Sequence, residues 1–291
     1  MGLQRRAFLL CTLAAGNGWA QALTAGPIGQ PGKRQPGRFI WFDLATDDPH
    51  GARAFYGAVF GWRFQPVPGT PADYTLIENA EGRVGGLFRQ ARPPQAPVGS
   101  RWLSLISVAE VERSAHQVQR LGGQVLVPPT QVLGRGTHAV FRDPHGAVFG
   151  VLAASAGDPS DDPVSDGEVF WVDLLTPDPA GAAAFYAAVA GYEIDEGDAN
   201  TSAPRWVLSS QGIARAGIVR LPPGRTGAGW LPYVLVSDLP ATLQRASQAG
   251  GRTVLAPSPQ WLHGQLAVLV DPNGGVIGAI DWRRAMQEAQ R

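Results

Sequence analysis

The chain has 291 residues, enough for two domains of ordinary size, and its 24 Lys and Arg balance 24 Asp and Glu. Apolar residues make up 44% and charged residues 16%, which supports substantial cores and excludes the composition of a disordered chain. The sequence has no basic cluster and no long apolar run after its N-terminus. It therefore predicts no nucleic-acid partner, and no membrane partner once the N-terminal signal is removed.

The first 22 residues have the features of an export signal. The pair Arg5-Arg6 precedes a short apolar stretch, and Ala20-Gln21-Ala22 has the small-x-small pattern of a cleavage site. The paired arginines favour the twin-arginine route, and the general secretory route is the alternative. Either route predicts a periplasmic or secreted protein. The single cysteine, Cys11, lies within the signal, so no disulfide is expected in the mature chain. Residues 23–36, rich in Gly and Pro, are expected to form a flexible lead-in.

The remainder of the chain carries one pattern twice. WFDLATDDPHGARAFYGAVFG begins at Trp41, and WVDLLTPDPAGAAAFYAAVAG begins at Trp171, 130 residues later (171 minus 41). Further matches extend the repeat as far as the DPHG and DPNG turns. The repeat predicts two domains that pair within the chain, at 37–155 and 168–283. An acidic linker at 156–167 joins them, and a tail at 284–291 follows.

Each repeat predicts the same order of elements. On a first strand, Ile40, Phe42 and Leu44 alternate with Trp41 and Asp43, which places the two sets on opposite faces. A helix follows, opened by an Asp-Pro pair and ended by a glycine. In the first repeat the later elements are strands near 62–67, 73–78, 83–89 and 102–108, a helix at 110–121, and strands near 124–128, 137–142 and 147–153.

The motifs resemble those of the vicinal oxygen chelate superfamily, which includes glyoxalase I, bleomycin-resistance proteins and extradiol dioxygenases. The resemblance rests on T-x-D-P…A-x-x-F-Y-x-x-V-x-G, a helix closed by Gly-Gly, and a terminal D-P-x-G-x-x-x-G hairpin, repeated in that order. It covers nearly all of the chain after the lead-in. It implies an α+β fold of tandem duplicated domains, each built of two βαβββ units whose mixed sheet curves around a cleft.

Catalytic members of that superfamily bind a divalent ion through the first, fourth, fifth and last strands of a domain. The matching first-strand and last-strand positions hold residues that cannot ligate: Trp41, Gly150, Trp171 and Gly278. The spans 82–109 and 199–237, which hold the fourth and fifth strands, contain no Asp, Glu or His. The comparison therefore predicts no metal site and no cofactor.

The clefts are expected instead to bind a ligand through aromatic and polar side chains. The candidate residues are Trp41, Asp43, Trp102 and His138 in the first domain and Trp171, Asp173, Trp230 and Tyr233 in the second. Indole faces suit flat or cationic ligands, whereas tryptophans that fill the clefts as core are the alternative. His138 is expected to be a partly buried neutral histidine.

Asp43 and Asp173 each need a partner because a carboxylate on an inward strand face is costly. Three roles remain open for these two residues: a structural hydrogen bond, a ligand anchor or a general base. The candidate partners are Arg101, Arg142, Arg205, Arg215 and Arg220.

The sequence therefore predicts an exported, metal-independent protein that binds a small aromatic or amphipathic molecule, as the resistance proteins of the superfamily do. An enzyme is the first alternative: a lyase, isomerase or dioxygenase that uses Asp43 or Asp173 as a metal-free base, or one with a metal site that the motif alignment misses. A scaffold with closed clefts and a partner-binding surface is the second alternative.

Overall fold

The computed structural model describes residues 33–289 apart from 69, 71–73, 92–98, 133, 162–163, 197–204 and 222–226. The predicted export signal and most of the lead-in lie outside these residues. In the described part of the chain, no helix is both long enough and apolar enough to cross a bilayer.

The described residues of the two domains repeat one order of elements. The first domain contains β1 (Phe39–Thr46), α1 (Pro49–Phe60), β2 (Arg63–Pro66), β3 (Thr75–Glu78), β4 (Arg83–Arg89), β5 (Ser100–Ser107), α2 (Val111–Arg120), β6 (Gln124–Val132), β7 (Gly136–Arg142) and β8 (Val148–Ala154). The second contains β9 (Val169–Thr176), α3 (Pro179–Ala190), β10 (Glu193–Glu196), β11 (Arg205–Ser210), β12 (Ile213–Arg220), β13 (Gly229–Leu235), α4 (Leu239–Gln248), β14 (Arg252–Leu255), β15 (Leu266–Val270) and β16 (Val276–Ile280), followed by α5 (Trp282–Ala289).

Each domain forms one mixed sheet from two βαβββ units, which confirms the predicted α+β duplication. The strand order is β2-β3-β4-β1-β5-β8-β7-β6 in the first domain and β10-β11-β12-β9-β13-β16-β15-β14 in the second. The first strands of the two units pair antiparallel at the centre, and each runs parallel to the last strand of its own unit. Asp43 and Asp173 therefore lie on a central strand of each sheet.

The first helix of each repeat begins and ends at the predicted residues. The Asp48 carboxylate accepts a hydrogen bond from the Gly51 amide at 3.0 Å, and the Thr46 hydroxyl accepts one from the Asp48 amide. Gly61 closes the helix with φ 71°, a left-handed conformation that glycine adopts without strain. Asp178 and Gly191 repeat this arrangement in the second domain.

The two sheets turn their helix-bearing faces toward each other. Helix α1 packs on α4, and α2 packs on α3. Between them lies a core to which both domains contribute: the ring centroids of Phe39 and Trp230 are 4.9 Å apart, and those of Phe149 and Tyr186 are 5.0 Å apart. The two domains thus share buried apolar surface.

Two buried tyrosines cross this interface reciprocally. Tyr56 donates a hydrogen bond to Asp271 Oδ2 at 2.9 Å, and Tyr186 donates one to Asp143 Oδ2 at 3.1 Å. The other oxygen of each carboxylate accepts backbone N–H groups of its own DPxG turn. Burial raises the pKa of both carboxyls, although these hydrogen bonds act in the opposite direction. Each aspartate therefore stabilises its own turn and the neighbouring domain together.

Replacing Tyr56 by Phe is expected to lower the free energy of unfolding by about 1 to 3 kcal/mol, because a buried carboxylate oxygen loses its donor. Tyr186→Phe should have a similar effect, since its contacts are equivalent. Urea denaturation followed by tryptophan fluorescence and by circular dichroism measures both values. Losses below about 0.5 kcal/mol in both variants would show that these bonds do not stabilise the domain pair.

Candidate functional site

The cleft of the first domain is filled by its own side chains. Trp41 and Asp43 lie on the cleft face of β1, opposite Leu105 and Leu103 of β5. All eight residues of β1 are buried, and the Asp43 carboxylate is inaccessible to solvent.

Asp43 has three partners that together satisfy its carboxylate. Oδ1 accepts hydrogen bonds from Tyr74 Oη at 2.6 Å and from Trp41 Nε1 at 2.8 Å. Oδ2 receives Arg135 Nη2 at 2.8 Å in an ion pair whose two side chains are both fully buried. The guanidinium carbon lies 5.6 Å from the centroid of the Trp41 ring, so the cation also contacts the indole face. We call Trp41, Asp43, Tyr74 and Arg135 the Asp43 network.

Local backbone features make this network possible. Gly134 and Gly136 both have positive φ, at 76° and 119°, and turn the chain so that Arg135 enters the cleft. On β4, a Cβ at Gly86 would lie 1.8 Å from Tyr74 Oη, so only glycine leaves room for the phenol. Burial, the largest single cause, lowers the pKa of Arg135, but the charge of Asp43, Tyr74 and the hydrogen bonds to both together outweigh it, so the pKa lies above its ordinary value. The guanidinium is therefore a permanent cation in the cleft.

His138 lies beside this cation on β7. Its side chain is 1% exposed, and neither ring nitrogen has a hydrogen-bond partner among the described residues. Burial, together with the charge of Arg135, lowers its pKa to about 3. His138 is therefore neutral at physiological pH, as the sequence predicts, and it is more completely buried than expected.

The cleft of the second domain has similar chemistry on its central strand and a different degree of closure. Trp171 Nε1 donates to Asp173 Oδ1 at 2.8 Å, as Trp41 does to Asp43. In contrast to β1, the first three residues of β9 are partly exposed: Val169, Phe170 and Trp171. The apolar cluster of this cleft contains the buried side chains of Leu231, Tyr233, Leu266, Val268 and Ile280.

At the position that matches Arg135, the second domain has His263, which is exposed and has φ 53°. Leu266 stands at the position that matches His138. The side chains around this cleft include several aromatics. Trp282 of α5 packs on Phe170 with ring centroids 5.1 Å apart, and Trp261 is 39% exposed in the loop before β15. We call the part of the second domain around Phe170, Trp171, Asp173, Tyr233 and Trp282 the second cleft.

A divalent ion of the superfamily kind does not fit either cleft. At the last-strand ligand positions, a Cβ on Gly150 would lie 2.7 Å from Leu105 Cγ, and one on Gly278 would lie 2.0 Å from a Tyr233 ring carbon. The space that a carboxylate ligand would need is therefore occupied in both domains. Across the described ranges, no three His, Cys, Asp or Glu side chains converge. The donors present do not form a metal site.

Two of the predicted cleft residues lie on the opposite face of the sheet, and this prediction is corrected. Trp102 pairs with Leu44 and Trp230 pairs with Leu174, so both indoles project toward the helices. There Trp102 donates to the Tyr56 hydroxyl, and Trp230 donates to that of Tyr186, each at 3.0 Å. Both tryptophans therefore belong to the interdomain core.

The other predicted residues lie on the cleft faces: Trp41, Asp43, His138, Trp171, Asp173 and Tyr233. Two members of the Asp43 network were not predicted. Arg135 lies in a loop, where its only sequence signal is the Gly-Arg-Gly triplet, and Tyr74 lies just before β3. Arg142, a predicted partner of Asp43, donates to Gln124, and Arg215, a predicted partner of Asp173, pairs with Asp161.

Comparison with solved structures gives the fold. The chain superposes on the Mn(II)-bound glyoxalase of Novosphingobium aromaticivorans with a TM-score of 0.57, 16% identity, and coverage of 85% of this chain and 82% of that one. The 2,3-dioxygenase LapB of Pseudomonas sp. KL28 also gives 0.57, at 13% identity, with coverage of 86% and 93%. The fold is that of the vicinal oxygen chelate superfamily, as the sequence motifs indicate.

Sequence comparison gives the family within that superfamily. The model of the glyoxalase-like domain matches the chain twice, at residues 40–152 and 170–278, and the protein belongs to this family. It is similar to the Mycobacterium bovis protein named "Putative glyoxylase CFP32", with 30% identity over 244 residues, 82% of this chain and 93% of that one. It is also similar to the anthracycline biosynthesis protein DauV of Streptomyces sp., with 31% identity over 273 residues, 87% of this chain and 96% of that one.

Replacing His138 by Leu, the residue at the matching position of the second domain, is expected to reduce acid sensitivity. The folded-state pKa of about 3 lies below the ordinary 6.5, so between these values only the unfolded chain binds the proton. The stability from a neutral His138 is complete above pH 6.5 and is lost as the pH falls, by up to about 1.4 kcal/mol per pH unit.

Unfolding free energies measured from pH 7 to pH 4 check this expectation. The His138→Leu curve should be flatter than the wild-type curve over this range. His116→Gln is the matched control, because His116 is exposed on α2, and it should follow the wild type. Parallel curves for His138→Leu and the wild type would mean that His138 does not contribute to acid sensitivity.

Proposed function

We propose that this protein binds a small aromatic or amphipathic molecule in its second cleft, without a metal ion. The difference in closure between the two domains carries the proposal. The Asp43 network and His138 fill the first cleft, whereas Phe170, Trp171 and Trp282 remain partly exposed around the second. In this proposal the first domain supports the protein and the second binds the ligand.

The side chains of the second cleft suit a flat ligand with a polar or cationic group. Aromatic rings offer large apolar faces at a low cost in conformational entropy, so they provide most of the affinity. Asp173 holds the Trp171 indole in place by accepting a hydrogen bond from its Nε1. Because the face of an indole ring attracts cations, a ligand with an amino group would be favoured there.

The relatives support a ligand of this class. DauV is named for anthracycline biosynthesis, and anthracyclines are planar ring systems with polar substituents. This chain and DauV are similar over nearly the whole length of both proteins. Binding without a metal is supported by the filled ligand positions at Gly150 and Gly278. We expect no stoichiometric transition metal in protein purified without chelators.

Titration of the mature protein with an anthracycline, followed by fluorescence quenching and calorimetry, tests the proposal. One equivalent is expected to bind per chain. Leu105 stands at the matching position of the first domain, so Tyr233→Leu gives the second cleft the side chain found in the first. This variant should weaken binding about tenfold or more because it removes an aromatic wall. His138→Leu is the matched variant in the first cleft and should bind as the wild type does.

Other outcomes of this titration would contradict the proposal. Two equivalents, or equal effects of the Tyr233 and His138 variants, would contradict a single functional cleft. A new product, absent with Asp173→Asn while binding persists, would identify an enzyme that uses Asp173 as a base. One equivalent of bound metal in the starting protein would reverse the metal-independent part of the proposal.

We also propose that residues 1–22 export the protein through the twin-arginine route. The support is the Arg5-Arg6 pair, the apolar stretch and the small-x-small site. The mature protein should begin near Leu23, as N-terminal sequencing of the exported form would show. Arg5→Lys together with Arg6→Lys should block export through this route. Undiminished export of that variant would favour the general secretory route.

A further inference from the structure

A further cavity lies at the seam between the domains, and it shares Phe170 and Trp171 with the second cleft. Its volume is about 230 Å³, and its wall includes Arg38, Phe39 and Phe42 of the first domain and Phe170, Ile213 and Arg215 of the second. Pockets between domains are frequent ligand sites. This volume is below the usual range for drug-sized ligands, so the largest ligand that fits has one or two rings.

One wall of this seam cavity carries a guanidinium fixed in the geometry that recognises a carboxylate. Arg215 Nη1 and Nη2 contact the two oxygens of Asp161 at 2.6 and 3.1 Å, a bidentate pair. The Arg215 side chain is only 5% exposed. Its Nε donates to Ser210 Oγ at 3.1 Å, and its Nη2 also lies 3.4 Å from Gln35 Oε1. The guanidinium is therefore held in place by groups other than Asp161.

A second guanidinium lies on the same carboxylate. Arg38 Nη1 is 3.3 Å from Asp161 Oδ1, and it also donates to the carbonyl oxygens of Pro159 and Ser160. Two cations thus meet one carboxylate at the cavity. Asp158 and Glu168 also act electrostatically on Arg38, but they accept hydrogen bonds from other groups, including the amides of Gln35 and Ser165.

Asp161 differs from its two arginine partners in its place in the chain and in its exposure to solvent. It belongs to the linker between the domains, and its side chain is 30% exposed, whereas that of Arg215 is nearly buried. A carboxylate that enters the cavity from solution can therefore reach the same guanidinium groups if Asp161 moves aside. The apolar residues Phe39, Phe42, Val169 and Phe170 line the remainder of the space.

We infer that the seam cavity is a binding site for small aromatic carboxylates, and that Asp161 occupies its carboxylate position when no such ligand is bound. The ligand carboxylate takes the bidentate contact with Arg215, and its ring lies among the apolar residues. Asp161 is then an internal competitor, which makes the wild-type affinity weak because the competitor is tethered at a high effective concentration.

Calorimetric titration of the full mature chain with 2-naphthoate tests this inference, with the uncharged 2-naphthamide as the paired probe. Asp161→Ala should bind 2-naphthoate at least about tenfold more tightly than the wild type, because the competitor is gone. Asp166→Ala is the matched control: Asp166 lies on the same linker and pairs with the exposed Arg283 instead. It should bind as the wild type does. Arg215→Gln should abolish binding of 2-naphthoate.

Several results would overturn the inference. One is that Asp161→Ala binds 2-naphthoate no more tightly than Asp166→Ala does. Another is that 2-naphthamide binds Asp161→Ala as well as 2-naphthoate does. If Arg215→Gln does not fold, the comparison of the two linker variants still decides. Tyr233→Leu should leave 2-naphthoate binding to Asp161→Ala unchanged, because Tyr233 does not line the seam cavity. Loss of 2-naphthoate binding when Tyr233→Leu is added to Asp161→Ala would place the ligand in the second cleft. That result would overturn the seam site and leave the proposed function of the second cleft standing.

Discussion

The structure depends on two buried carboxylates, each of which stabilises a turn of its own domain and the contact with the other domain. Asp143 and Asp271 accept the backbone N–H groups of their own DPxG turns and, through the other oxygen, a tyrosine hydroxyl of the opposite domain. Such a carboxylate is costly in an apolar interface unless both oxygens are satisfied. The turn of one domain and the first helix of the other are therefore linked by a buried hydrogen bond, and the core between them includes Trp102 and Trp230.

The two clefts show that similar central strands can belong to a closed cleft and to a partly accessible one. Both central strands carry Trp-x-Asp, and in both the indole N–H is bonded to the carboxylate. In the first domain a buried guanidinium completes the neutralisation and closes the space. Breaking such a buried pair is strongly destabilising, by about 3 to 5 kcal/mol, although the intact pair itself contributes little. The second domain lacks this cation at the matching loop position and keeps its aromatic side chains partly accessible.

The regular elements could be predicted from the sequence, whereas the long-range contacts of the site could not. Alternation and helix caps identify the first strand and first helix because those signals are local. A register shift between Phe39 and Trp41 places Ile40 in the cleft cluster rather than on the helix face, where strict alternation predicts it. The prediction for Trp102 is wrong for a similar reason, because the face of the sheet on which its side chain lies depends on the register with the partner strand. Arg135 reaches Asp43 from 92 residues away, through a loop whose path no periodicity describes.

The reciprocal tyrosine–aspartate bonds have a consequence for the history of the chain. Each domain contributes the same donor and the same acceptor, which is the contact pattern of a two-fold symmetric homodimer. An ancestral single domain with this surface could have paired with its own copy. Fusion of two copies then replaces a concentration-dependent association with an intramolecular one. It also removes the requirement that the two copies stay identical, so one can specialise as a support while its twin adapts to a ligand.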